Sequence, residues 1–349
     1  MNFCIYEILA TILLSIFIMA MAGCWDSVEI ESRAFAMAVG IDDSEDANFT
    51  FSVINAQTAN DESEDGEHIS ADGHTLIEAI HRLDARSSQE LFLGQTKAAV
   101  FGIDVLEDGQ KFRQALGLLE GHPEVDRMIT LLATSANVPQ ILNASPREDA
   151  KSGYYVVNFY RLAPKSGGLS FHQTLESAMA DLRLSGNTLI PLIQDDGKAA
   201  GAAVIKNFEL AGQLDGEALR GLLWTKNRAC EGAIVGEDIP LTVRRHRSSF
   251  RFNEKNGRLQ CIADIRIKGE ISRFWGDAPA SLDYEQLIAE EIKKSVQTIQ
   301  QELNVDALKL RSTLRKKQRN LYNHYAQDWD RSFSEMEIVP LVRCKVIIK

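Results

Sequence analysis

The chain of 349 residues is short of proline, with 8, of cysteine, with 5, and of aromatic side chains, at 7%. So little proline beside 23 glycines excludes collagen-like repeats and long low-complexity linkers. Five cysteines cannot staple a fold of this size. Positive charge is scarce too: 38 Lys and Arg face 49 Asp and Glu, for a net charge of −11. A general nucleic-acid binder needs the opposite balance, because the phosphate backbone rewards an excess of cations. Gly-x-Ser-x-Gly, phosphate-loop, dinucleotide, His-Glu-x-x-His and Cys-x-x-Cys patterns are all missing. A surface hydrolase therefore lacks its nucleophile or metal motif. What is present is 45% hydrophobic content, enough for two or three globular domains.

The amino terminus departs from that average. From Ile8 to Gly23 the run ILATILLSIFIMAMAG carries no charge. It has the length of a signal-peptide core and is short for a membrane-spanning helix, which wants about 20 apolar residues. It ends in Met21-Ala22-Gly23-Cys24. Small residues at Ala22 and Gly23 give a peptidase access to the backbone, and the Cys24 thiol can take a diacylglyceryl thioether. The tetrapeptide thus looks like a bacterial lipoprotein box, with residues 1–23 as signal peptide and Cys24 as the lipidated first residue. That covalent lipid is the only cofactor-like group expected, and no metal is. Two departures stand out: MNFCIYE has no Lys or Arg, and Met21 replaces the more usual Leu. An uncleaved membrane anchor is the alternative, and either reading puts the bulk of the chain outside the cytoplasm.

Beyond the anchor, strand patterns at Ala34–Ile41, Phe49–Asn55, Lys97–Gly102 and Met128–Thr134 alternate with helices over 75–88 and 110–120. Thr75-x-x-Glu78 has the form of a capping box. Residues 24–135 therefore read as an α+β domain and 136–196 as a helix-rich segment, with Ser170–Leu184 as its clearest helix. Residues 197–349 read as a second α+β domain. It opens with strands around Lys206-Asn207 and a helix over Glu217–Lys226, then a hairpin turning at Asn256-Gly257, helices over 281–304 and 306–328, and a closing strand at Glu337–Ile348.

Cys24-Trp25-Asp26-Ser27-Val28-Glu29-Ile30, followed by Gly40-Ile41-Asp42, resembles the start of the Ger(x)C lipoproteins, the C subunits of spore nutrient-germinant receptors. The segment Ala203–Leu214 and the junction Asn304-Val305-Asp306 are similar to later parts of that family, so the resemblance spans the whole mature chain. It implies a three-domain α+β ectodomain of mixed sheets packed with helices, held by lipid on the outer face of the spore inner membrane. It also implies assembly with integral-membrane A and B subunits into a receptor that triggers germination in response to small nutrients, without catalysis by this subunit. The rival from another class is an extracytoplasmic solute-binding lipoprotein of a transporter, which would need an aromatic-lined cleft between two lobes.

Other constellations read more plainly. Asp61-x-Ser63-x-Asp65-Gly66 matches half a calcium loop, but its twelfth position is Asp72, so a solvated acidic loop is expected. Ser166-Gly167-Gly168 reads as a linker. Cys261 and Cys344 lie in strand patterns as small hydrophobes, and one disulfide among Cys230, Cys261 and Cys344 stays open. Arg311, Arg315, Lys316, Lys317 and Arg319 form the strongest basic run, either a solvated helix face or a contact for anionic headgroups or an acidic partner. Arg244, Arg245 and Arg247 around His246 carry the same two readings.

Overall fold

The computed structural model describes residues 11–13, 15, 32–55, 68–87, 89–143, 156–159, 171–194, 198–227, 230, 232–236, 239–272 and 281–349. Two mixed sheets, each packed with helices, make up the fold.

In the first sheet β1 (Arg33–Asp42), β2 (Phe49–Asn55) and β3 (His68–Gly73) form an antiparallel meander. The short β4 (Glu90–Phe92) pairs with the beginning of β1. On the other side of β1 lie the parallel strands β5 (Ala98–Gly102), β6 (Thr130–Thr134) and β7 (Asn187–Ile193). An antiparallel pair, β8 (Ala199–Lys206) and β9 (Glu209–Asp215), completes it. The central strands are buried on both faces, as near-continuous apolar runs such as AAVFG and TLLAT require. Helices α1 (Leu76–Asp84), α2 (Ile103–Glu107), α3 (Gly109–Gly121) and α5 (Leu175–Ser185) fill one face around Phe51, Phe101 and Phe112. Helix α4 (Val138–Asn143) packs Val138 and Ile141 on the other. The Thr75 hydroxyl accepts from the Glu78 N–H at 3.1 Å, starting α1 where the capping pattern puts it.

In the second sheet β10 (Ile234–Val235), β11 (Leu241–Lys255) and β12 (Arg258–Ile271) are antiparallel, and β13 (Glu337–Ile348) lies parallel to β12. The turn between β11 and β12 has Asn256 at φ 52° and Gly257 at φ 72°, the positive values a tight hairpin needs. One face is covered by α6 (Gly216–Leu223), α7 (Ser281–Gln297), α8 (Leu310–Lys317) and α10 (Trp329–Ser334), with α9 (Arg319–Tyr325) between the last two. A π turn at Thr298–Glu302 continues α7. The other face of the sheet is open to solvent, so β11 alternates buried Phe252 and His246 with exposed arginines.

Four strands lie where none is expected: β3 at the end of the acidic stretch, β7 in the helix-rich segment, and the short β4 and β10. The single helix expected over 306–328 is instead α8, α9 and the approach to α10, broken at Gln318. The expected boundaries at 135/136 and 196/197 both fall within the span of the first sheet, where β7 joins β6 to β8. The two sheets share apolar packing: Leu189, Ala202, Val204 and Leu214 of the first belong to one core with Leu222, Ile265 and Ile292.

Candidate interaction surfaces

The basic run at 311–319 is divided by its own chemistry. Asp306, buried, accepts from the N–H groups of Leu310 and Arg311 at 2.9 Å each and so caps the start of α8. Burial raises the Asp306 carboxyl above its ordinary value, and the two backbone donors oppose that rise. Arg311 is half-buried and donates to the Ala326 carbonyl at 3.3 Å. Lys317 Nζ donates to the Phe250 carbonyl at 2.6 Å, and Gln318 Nε2 to the Phe252 carbonyl at 2.9 Å. Those carbonyls lie on the outer edge of β11, so the two side chains close an edge that would otherwise offer a pairing template. Lys317 is exposed along with Arg315, Lys316 and Arg319, but only its ammonium has a partner among the described residues. Arg315, Lys316 and Lys317 also sit in the last turn of α8, where the helix dipole favours positive charge.

A polar seam joins the two sheets. Lys206, at the end of β8, donates to the Asn304 carbonyl at 2.9 Å and to Asp330 Oδ2 at 3.0 Å. Lys309 Nζ meets Asp181 Oδ1 at 2.6 Å. Gln173, buried, reaches Thr188 Oγ1 at 3.0 Å and Asp181 Oδ2 at 3.4 Å. Lys226 lies beside them with Nζ 4.9 Å from the centre of the Phe171 ring. Burial, with Lys309 adding to it and Asp181 opposing, lowers its ammonium to about 8. Sequence reasoning reached Lys206 and Asp306 only as parts of motifs, because ion pairs between residues 128 apart, such as Lys309 and Asp181, leave no local signal.

Most of the remaining sequence candidates have structural partners or lie outside the described residues. Met21, Ala22, Gly23 and Cys24 are outside them, as are Asp61–Gly66 and Ser166–Gly168. Asp72 sits on β3 and accepts from Thr50 Oγ1 at 2.5 Å. His246 turns inward: its ring packs edge-on against fully buried Trp224, with Nε2 2.8 Å from the Trp224 carbonyl. Arg244, Arg245 and Arg247 are exposed around it. Cys230, Cys261 and Cys344 are free and buried. Cys261 and Cys344 stand on neighbouring strands but face Ile338 and Ile267, out of register for a disulfide. Burial raises all three thiols, that of Cys344 to about 11, so none is a ready nucleophile. No group of His, Cys, Asp and Glu able to hold a metal occurs among the described residues. A groove of about 510 Å³ at the tip of the β11–β12 hairpin is lined mainly by polar side chains, among them Lys255, Arg258, Glu335 and Glu337.

Two family models cover nearly all of this architecture. Residues 26–195 match the spore germination protein N-terminal domain, and residues 200–348 match the spore germination B3/GerAC-like C-terminal domain. The chain belongs to the GerAC-like spore germination family. It is 19% identical over 361 residues to spore germination protein B3 of Bacillus subtilis (strain 168), covering 95% of each chain. It is 22% identical to the putative spore germination protein YfkR of the same organism, covering 97% of this chain and 94% of that one. The crystal structure of the GerBC protein superposes with a TM-score of 0.59 at 17% identity, over 92% of this chain and 100% of that one. The likeness shows a shared fold of mixed sheets packed with helices. The GerAC-like models meet just before β8, yet β8 and β9 complete the first sheet, so the second model begins inside that sheet. Among the described residues no helix is long and apolar enough to cross a membrane.

Proposed function

We propose that this chain is a lipid-anchored, non-catalytic subunit of a spore nutrient germinant receptor. It is tethered through Cys24 to the outer face of the spore inner membrane and assembles there with integral-membrane A and B subunits. The observation that carries this reading is the juxtaposition of two features: germination-family sequence over 26–348, and a lipoprotein-box tetrapeptide, Met21-Ala22-Gly23-Cys24, directly ahead of it. The anchor raises the effective concentration of the folded body against membrane-embedded partners. Two acyl chains hold it there, since each buried methylene contributes about 0.8 kcal/mol. Buried, weakly acidic thiols and the absence of a metal-holding group among the described residues support reading it as a scaffold that presents surfaces to partners.

Intact-mass analysis of the protein extracted from spore membranes tests the anchor. The expected species begins at Cys24, carries a diacylglyceryl group and incorporates a palmitate analogue, and Cys24→Ala abolishes that incorporation. A chain that begins at Met1 without lipid would contradict the reading. Co-purification of the two integral-membrane subunits with the wild-type chain tests the assembly, and their consistent absence from the purified complex would count against it.

A further inference from the structure

The open face of the second sheet gathers positive charge that the sequence scatters over a hundred residues. Arg247 on β11 is paired in register with Arg266 on β12, and Arg266 with Arg343 on β13. Two residues along, Arg245, Lys268 and Lys345 form a second transverse row in the same way. All six are exposed. Neighbouring strands lie about 4.8 Å apart and alternate residues about 7 Å apart, so each of these six cations has like-charged neighbours within a screening length at physiological salt. Arg251 flanks the first row, and Arg244 and Lys349 flank the second through Glu270.

Among the described residues only two carboxylates answer them on this face. Asp264 lies beneath Arg343, at 2.6 Å, and is also paired with Arg266 at 3.3 Å and Arg251 at 3.5 Å. Glu270 holds Arg244 at 2.7 Å and Lys349 at 2.6 Å. Arg245, Arg247, Lys268 and Lys345 make no ion pair among the described residues. Like charges placed directly opposite across strands destabilise a sheet. A chain of net charge −11 has carboxylates to interleave here, yet four of the six cations in these rows stand without an ion pair among the described residues, and Arg266 and Arg343 share one carboxylate.

The geometry points to this face as a docking surface for an anionic lipid bilayer. The step rests on the lipid anchor proposed above, which brings a bilayer within reach of the body. The face is the broad, uncovered side of an extended sheet, which suits a plane of headgroups better than a groove or a single ion. Apolar Val339 and Leu341 extend the same face, Leu341 being 42% exposed, as suits an interfacial surface that meets both headgroups and upper acyl chains. The overall negative charge disfavours an extended nucleic acid.

The test uses the full chain on phosphatidylcholine vesicles with and without phosphatidylglycerol, reading acetylation of Lys268 and Lys345 by mass spectrometry. The face as a bilayer contact predicts acetylation at least about threefold slower on the anionic vesicles, with the difference removed by high salt. Arg245→Glu with Arg247→Glu removes the protection while leaving the thermal midpoint unchanged or raised, since neither arginine serves a carboxylate. Equal acetylation on both vesicle types, with the chain bound to both, overturns the proposal. Protection that appears only when an acidic partner protein is added overturns it in favour of a protein interface. If the chain does not bind phosphatidylcholine vesicles, the anchor reading is what fails. The face is then read from binding to phosphatidylglycerol vesicles, which the double variant must weaken, and binding that ignores both the variant and salt overturns it.

Discussion

Lys226 carries an electrostatic cost at the seam between the two sheets. Its ammonium is confined between Phe171 and the Asp181–Lys309 pair, and burial together with Lys309 lowers it to about 8. From pH 8 to the ordinary lysine value of 10.5, the unfolded chain carries a proton that the folded chain lacks. This group's contribution to stability therefore rises with pH across that window, and below pH 8 it is a cost. Lys226→Met keeps the apolar stem and removes the charge. It is expected to stabilise the protein by about 1–2 kcal/mol at pH 7 after allowance for solvent screening, with the gain shrinking toward pH 10. Denaturant unfolding at several pH values checks this, and a gain that does not vary with pH would contradict it. At this scale the sequence exposed only what is local. Thr75 and Asn256-Gly257 were legible because caps and tight turns act over two to four residues. The inward turn of His246 and the use of Lys317 to close the β11 edge were not, since both depend on partners far along the chain.

Among the elements, the buried parallel strands and α7 followed from apolar runs and from three- and four-residue spacing. β3 escaped notice because HISADG is a polar edge strand with only alternate residues buried. β7 escaped because Pro191 argues against a central strand. The sheet tolerates it since β7 meets β6 only at Leu192 and Ala133, leaving few ladder bonds on that side for a proline to break. The helix expected over 306–328 broke because Asp306 spends its carboxylate on the cap and Gln318, at φ −146°, leaves helical geometry to reach the Phe252 carbonyl. The crossing of α6 over α7 depends on Gly221. A Cβ there would stand 2.1 Å from the Glu291 carbonyl oxygen and 2.1 Å from Ser295 Oγ, closer than any real contact. Gly221→Ala is expected to force the helices apart and cost about 1–3 kcal/mol, read as a lowered denaturant midpoint. An unchanged midpoint would mean that the helices cross at a greater distance.

For the whole molecule, the shared core of the two sheets matters more than the point where the two family models meet. Leu189, Ala202, Val204 and Leu214 of the first sheet are packed with Leu222, Ile265 and Ile292 of the second unit, and the Lys206 and Lys309 contacts lie along the same seam. Calorimetry is expected to show one cooperative unfolding transition, and two well-separated transitions would mean that the halves are energetically independent. The same integration gives one continuous core beneath a cationic sheet face, and in the proposed role that body is what partners at the membrane would meet. The proposed role of this chain is in the response of spores to nutrients. The measurement that tests it most directly is germination of spores from a strain lacking this gene, and lacking any redundant receptor, triggered in parallel by nutrients and by a non-nutrient agent. The expected result is loss of the response to at least one nutrient, an intact non-nutrient response, and restoration by the wild-type gene. Normal germination with every nutrient would contradict it.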